Sequence, residues 1–443
     1  MRRYLWGCAV IGLLYAGCAG EQTGEDQAPS GESEMDAAAP TGSTCEPGNG
    51  GLVLPAGFCA VVVADELGRA RHLAVADNGD VYVRMRNDSL GGGIVALRDT
   101  TGDGRADVIE RFRSDGGTGI EIRDGMLWFS TDTTIFRVPL PTDGTLVPTA
   151  EPELVVSGFP AQRSHSSKPF TFDGQGGLYV TVGSPTNACQ PQDNDRRLGP
   201  GQDPCPEFEQ QAGIWRFDAN RTAQTQQADG RAFAVGIRNA MAIAWNDAAN
   251  ALYVVQHGRD VLNVTGPETY TLEQNATKPG ELMYRLEQGD TMHHPYCFWD
   301  LDQQLAVLAP EYGGDGQRTD RCASFEEPLA AYPAHWGPND IVFYDDDRFP
   351  EHYRGGAFIA FHGSWNRAPL PMEGYLVAFQ PMNGGDPAGE YEVFADGFKG
   401  APEISSPGEA DRRPTGLAIG PDGSLYVSDS LRGRIWRILP AGE

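Results

Sequence analysis

The apolar positions of this chain fall in short runs that alternate with polar ones, and most runs end in a Gly, Asp or Asn turn. A period of two predicts strands packed on one or both faces of a sheet, and two runs across a tight turn predict a hairpin. The recurring unit is an apolar run, a turn, then Leu/Val-Tyr/Trp-Val or a relative. It occurs as HLAVADNGDVYV (72–83), IEIRDGMLWFS (120–130), FTFDGQGGLYVTVG (170–183), MAIAWNDAANALYVV (241–255) and LAIGPDGSLYVSD (417–429). A divergent copy spans DIVFYDDDRFPEHYRGGAFIAFHG (340–363), and a third run such as GIWRFDA or GRIWRIL follows most copies. One such sheet cannot bury both faces alone, whereas copies stacked around a ring can. The prediction is an all-β fold: a six-bladed β-propeller over residues 46–443, with long loops walling one face.

That architecture places residues. The innermost strand of each blade starts at one face of the ring, and the turn between the second and third strands returns there. Residues just ahead of each first strand should therefore ring the channel mouth: Arg71, Thr118, His165, Arg238 with Asn239, Trp336 and Arg413. The second-to-third turns add Gln256–Asp260 and His362–Arg367. Insertions at 185–212, 262–280 and 295–335 would wall the mouth. Guanidinium forks suit planar carboxylates or phosphates, and a tryptophan such as Trp336 could lie against a flat ligand.

Composition narrows the partners. Asp and Glu number 61 against 34 Lys and Arg, a net charge of −27, which argues against nucleic acid or an anionic lipid surface. Residues 1–17 read as a signal peptide: Arg2 and Arg3, an apolar stretch from Tyr4 to Tyr15, then Ala16 and Gly17. Leu14-Tyr-Ala-Gly-Cys18 resembles a lipoprotein cleavage box, with Tyr15 where leucine is usual. Lipidation of Cys18, followed by Ala19, predicts anchoring to the outer membrane of a Gram-negative bacterium, with 18–45 as a solvated tether. The six cysteines left after Cys8 and Cys18 allow fifteen pairings. Export favours disulfides, and local order favours Cys45–Cys59, Cys189–Cys205 and Cys297–Cys322. A separate segment, Asp99-Thr-Thr101-Gly-Asp103-Gly-Arg105-Ala-Asp107-Val-Ile-Glu110, has the ligand spacing of an EF-hand calcium loop and would lie opposite the mouth. His293-His294, with His335 and His362, has no diagnostic metal spacing, and no nucleophile-elbow motif surrounds Ser184 or Ser364.

Four segments in order, LPAGFCAVVVADELGRARHLAV (54–75), GIRNAMAIAW (236–245), FIAFHGSWNR (358–367) and RRPTGLAIGPDGSLYVSD (412–429), resemble the glucose/sorbosone dehydrogenase family of quinoproteins. That family includes soluble glucose dehydrogenase and the fungal pyranose dehydrogenase propeller. The resemblance implies pyrroloquinoline quinone (PQQ), a flat tricarboxylate, at the channel mouth. It also implies hydride transfer from a sugar or sugar-derived alcohol or aldehyde, with electrons passed to an external acceptor, and a monomer. By the same resemblance His165 is the base, Arg238 and Asn239 contact the quinone, and backbone carbonyls of Gly258 and Arg259 hold calcium. Arg71, Arg413 with Arg412, and Trp336 would border the cofactor. The chain departs from the family in offering His362 for a lysine, His293-His294-Pro295 for Tyr-Gly-Trp-Pro, and Thr118 for a glutamine. Two rival readings are a calcium-dependent propeller lactonase and a non-catalytic lipoprotein that binds carbohydrate or protein.

Overall fold

The computed structural model describes residues 45–87, 90–191 and 199–442. The signal peptide, Cys18 and nearly all of the tether lie outside the described residues. Six antiparallel sheets form the blades of a propeller. Their first strands are Ala70–Val75, Ile120–Arg123, Phe170–Phe172, Ala242–Asn246, Pro338–Phe343 and Pro414–Ile419, one in each predicted copy of the repeat. Blades two and three each gain a short parallel fifth strand, Gln224–Thr225 and Asp290–Thr291.

The Leu-Tyr-Val signature explains how the ring packs. Successive strand residues point to opposite faces. Val83 therefore faces the last blade, while Tyr82 faces blade two. Val180 and Tyr179 divide in the same way between blades two and four, and Val427 and Tyr426 between blades five and one. Each of the six interblade seams is thus a separate apolar core built from two neighbouring copies. At about 1.5–3 kcal/mol for each large apolar side chain removed from water, these seams are the main favourable term holding the ring.

The ring closes on a strand from the other end of the domain. Phe58–Ala64 pairs antiparallel with Ile435–Pro440, from Phe58 opposite Pro440 to Ala64 opposite Ile435, and supplies the outermost strand of blade six. The Cys45–Cys59 disulfide fastens this strand to the residues before it. Cys189–Cys205 and Cys297–Cys322 are also formed, so all three expected pairings are present. The latter two lie in neighbouring insertions and share an apolar cluster with Tyr296 and Leu308. Helices among the described residues are short, and none is long and apolar enough to cross a membrane.

Candidate active site

A cavity of ≈ 350 Å³ opens where the first strands begin. Arg71, His165, Arg238, Asn239, His362 and Arg413 line it together with Gly258, from five blades whose contributions are far apart in the chain. Three of the first strands carry a bulge at this end. The ladder of blade one breaks between Ala70 and Leu73, which leaves Arg71 outside regular pairing, and similar breaks occur at Pro338/Asp340 and Pro414/Gly416. Bulges commonly re-aim side chains next to functional sites.

Each lining group is held by a specific bond. His165 adopts a left-handed backbone conformation (φ 50°), and its Nδ1 is 2.6 Å from the carbonyl of Ser184. Donation from Nδ1–H to that carbonyl leaves Nε2 as the basic nitrogen. The hydroxyls of Ser184 and Thr186 both donate to the buried carboxylate of Glu207, at 2.5 Å each. Burial raises the Glu207 pKa, and these two bonds oppose the shift.

Arg238 donates to Asn187 Oδ1 (3.1 Å), to the carbonyl of Gly258 (2.9 Å) and to the carboxylate of Asp260 (2.6 Å). Arg413 forks onto the carbonyls of His362 and Gly363 at 3.0 and 2.6 Å. Arg71 has no ion pair among the described residues, and its Nε is buried without a hydrogen-bond partner. Burial, with Arg86, Arg69 and Arg413 nearby, pushes it down to about 9. Burial also holds His257 down to about 4 and His362 well below its ordinary value, so both are neutral.

The TrAA12-like family model matches residues 52–440. The chain belongs to the TrAA12-like family. The PQQ-dependent pyranose dehydrogenase of Coprinopsis cinerea is 26% identical over 247 residues, 47% of this chain and 31% of that enzyme. An uncharacterized protein of Borreliella burgdorferi is 26% identical over 206 residues, 46% of this chain and 48% of that one. The chain therefore spans half or less of the length of the curated relatives it matches. Among solved structures, the holo form of the Coprinopsis pyranose dehydrogenase PQQ domain superposes at TM-score 0.67 with 18% identity, covering 88% of this chain and 97% of that one. The calcium structure of the Trichoderma reesei carbohydrate-active enzyme of family AA12 gives 0.70 and 17%, covering 91% and 100%. At such identities the likeness establishes the shared propeller fold.

Other expected residues of the TrAA12-like chain lie elsewhere. Trp336 turns away from the cavity and packs edge-on against Phe361 and Tyr391, with ring centroids 5.3 and 5.7 Å apart, in the seam of blades four and five. The tryptophan on the cavity wall is Trp365. Thr118 is fully buried and donates to Ser167 Oγ at 2.9 Å, behind the wall. Arg412 pairs with Asp65 and Asp429 and borders a separate surface cavity. The Arg259 side chain is committed to Glu311 at 2.7 Å, and only its backbone belongs to the loop beside Gly258.

The 99–110 segment does lie opposite the mouth, beside the first turns of blades six and one. Its carboxylates are turned onto their own backbone. Asp99 accepts from the amides of Thr101, Gly102 and Gly104, Asp103 from Arg105, and Asp107 from Thr100. Glu110 stands on the exposed outer strand Val108–Phe112. A strand carries position twelve away from the loop, so Asp99, Thr101, Asp103, Arg105, Asp107 and Glu110 do not gather into a cation cage. Among the described residues, the group of three potential ligand atoms lying close together is Cys189, Cys205 and Glu207, where both sulfurs are in the disulfide.

Trp365 belongs to the expected His362–Arg367 turn, whereas Arg86, Arg163 and Glu281 on the wall were not among the residues the sequence singled out. Arg86 opens the second-to-third turn of blade one, and Glu281 begins the third strand of blade four. The rule that found Gln256–Asp260 would have found both.

Proposed function

We propose that the chain is a quinone-dependent sugar dehydrogenase that takes PQQ and calcium at the cavity and oxidises a hydroxyl of a sugar or sugar-derived aldehyde. One observation carries this reading: the guanidinium of Arg71 is held at the wall without a carboxylate, beside Arg413, in a chain of strongly negative net charge. Arg71 is half-buried, and a charge so placed and left unmatched is costly, which a polyanionic ligand would offset. The names of the Coprinopsis and Escherichia coli neighbours, a pyranose and an aldose sugar dehydrogenase, support the substrate class.

The chain's own groups fit the cofactor. Arg71 presents a fork suited to its carboxylates, Arg238 and Arg413 add positive charge beside it, and the buried Asn239 Oδ1 and Arg71 Nε lack protein partners. The Gly258 carbonyl and the Asp260 and Glu281 carboxylates suit a hard divalent cation. When bound, the quinone supplies the two-electron acceptor and the cation polarises it. His165 Nε2 takes the substrate hydroxyl proton, and the Ser184 carbonyl fixes the tautomer that makes it basic. A positioned imidazole contributes roughly 10²–10⁴ in rate. The cationic wall disfavours the lactonase reading, which brings a cation but no polyanion to offset the guanidinium groups. The reading extends to an external electron acceptor, to a monomer, and to an exported lipoprotein anchored through Cys18, which three disulfides suit.

The test is titration of apo-protein with PQQ and calcium, followed by quinone absorbance and aldose-dependent dye reduction. Arg71→Leu should weaken quinone binding at least ~tenfold while raising the melting midpoint of the apo-protein. His165→Ala should bind quinone and lose dye reduction. A wild-type protein that binds no quinone, or a His165→Ala variant of full activity, overturns the respective assignment.

A further inference from the structure

The cavity holds more positive charge than the proposed cofactor uses. Among the described residues five guanidinium groups line it, Arg71, Arg86, Arg163, Arg238 and Arg413, and three carboxylates offset them. Asp260 pairs with Arg238 and Asp132 with Arg86, each at 2.6 Å, while Glu281 accepts the amides of Gly258 and Gly337. About two positive charges remain at a pH where all of these groups are ionised. A tricarboxylate and a divalent cation bring one negative charge between them, so one cation stays unmatched.

Position identifies it. Arg163 is exposed, stands two residues from His165, and among the described residues makes no ion pair or hydrogen bond. Arg413 stands in blade six, opposite blade three in the ring order, and Arg71 in blade one beside it. Arg86 reaches the His165 side, with Nη2 3.4 Å from Ser166 Oγ. The hydroxyl to be oxidised must approach His165, so a substrate there meets Arg163 with Arg86 behind it. Trp365, 47% exposed, lines the same cavity and offers an aromatic face to the C–H face of a pyranose.

We propose that the substrate class is an acidic sugar, a hexuronate or related sugar acid, whose carboxylate is taken by Arg163 while its ring rests on Trp365. The proposal rests on the sugar-oxidising function proposed for this cavity. The carboxylate is a recognition handle and takes no part in the bonds made or broken.

The experiment compares D-glucuronate with D-glucose on the mature chain. With the PQQ- and calcium-loaded enzyme, kcat/KM for glucuronate should exceed that for glucose at least ~tenfold, and Arg163→Gln should cut that ratio ~tenfold, the size expected of one charge-assisted contact. The preference should weaken as ionic strength rises. Calorimetry of the calcium-loaded protein without quinone provides the second arm. There glucuronate should bind more tightly than glucose, by a margin that shrinks in Arg163→Gln. A protein that takes up no quinone but shows this margin loses the dehydrogenase reading and keeps the anionic site. Equal handling of the two sugars in both arms, or a preference unchanged in Arg163→Gln, overturns the proposal.

Discussion

His165 occupies a left-handed backbone conformation, and that single torsion sets the approach of its ring to the Ser184 carbonyl (φ 50°; Nδ1···O 2.6 Å). Such conformations in non-glycine residues persist when the surroundings over-determine them. Here Gly183 is one reason: a Cβ there would lie 2.6 Å from His165 Cβ and 3.2 Å from Asn239 Oδ1. Gly183 is therefore required by close approach, not by its own torsions. Gly183→Ala should fold and still bind the quinone, because Arg71 and Arg413 are untouched. It should displace the imidazole and lower turnover by roughly 10²-fold, the usual cost of misplacing a catalytic group by about an ångström. Absorbance titration alongside steady-state kinetics checks the split, and loss of both functions together would point to misfolding instead.

Strands and insertions differ in how far they can be read from sequence. Each blade's hairpin is a local event, so the period-two pattern and a Gly/Asp turn are sufficient signals, and the six first strands lie where the repeat placed them. Arg71, His165, Arg238 and Arg413 were legible for the same reason, since their register follows from the strand that each one precedes or opens. Trp336 and Trp365 were not distinguished, because the choice depends on the seam: Phe361 and Tyr391 accept Trp336, and Trp365 is left at the mouth. The EF-hand spacing misled because spacing alone does not say whether a helix or a strand follows the loop. Insertions are held by distant contacts that leave no periodic trace, such as the Tyr312 hydroxyl donating to Ala188 O at 3.0 Å and the Cys205 amide donating to Tyr296 Oη at 2.9 Å. The 185–212 insertion bears on the site through Glu207, which secures Ser184. Replacing Cys189 and Cys205 by serine should therefore leave the blades folded, with hydrogen exchange accelerating within 185–212 and the 295–335 insertion packed on it, as expected of local opening. Turnover should fall with the loosened Ser184 carbonyl. Exchange that accelerated equally in the interblade strands would refute that division.

At the scale of the ring, the channel divides into two chemically opposed halves. The mouth gathers guanidinium groups, and the far half is a second cavity of ≈ 340 Å³ where Glu121 and Asp340 stand beside His72. One strand can serve both halves because neighbouring residues at a bulge diverge, as Arg71 and His72 do. The far carboxylates carry an electrostatic cost. Burial pushes Glu121 up to about 8 and Asp340 up to about 6, each also raised or lowered by nearby charges. In the unfolded chain a glutamate titrates at about 4.3, so the native state holds a proton on Glu121 that the unfolded state releases. Stability from this source is full below that value and declines as pH climbs toward about 8, where the native carboxylate must ionise in the channel. Net self-repulsion of an acidic chain acts in the same direction, so a substitution is needed to separate them. Glu121→Gln keeps the size and removes the titration. Its melting midpoint should match the wild type near about pH 4, exceed it by a few degrees near about pH 8, and show a flatter profile between. Parallel profiles for the two proteins would mean that the channel glutamate ionises without penalty, and the slope would then belong to the surface charge.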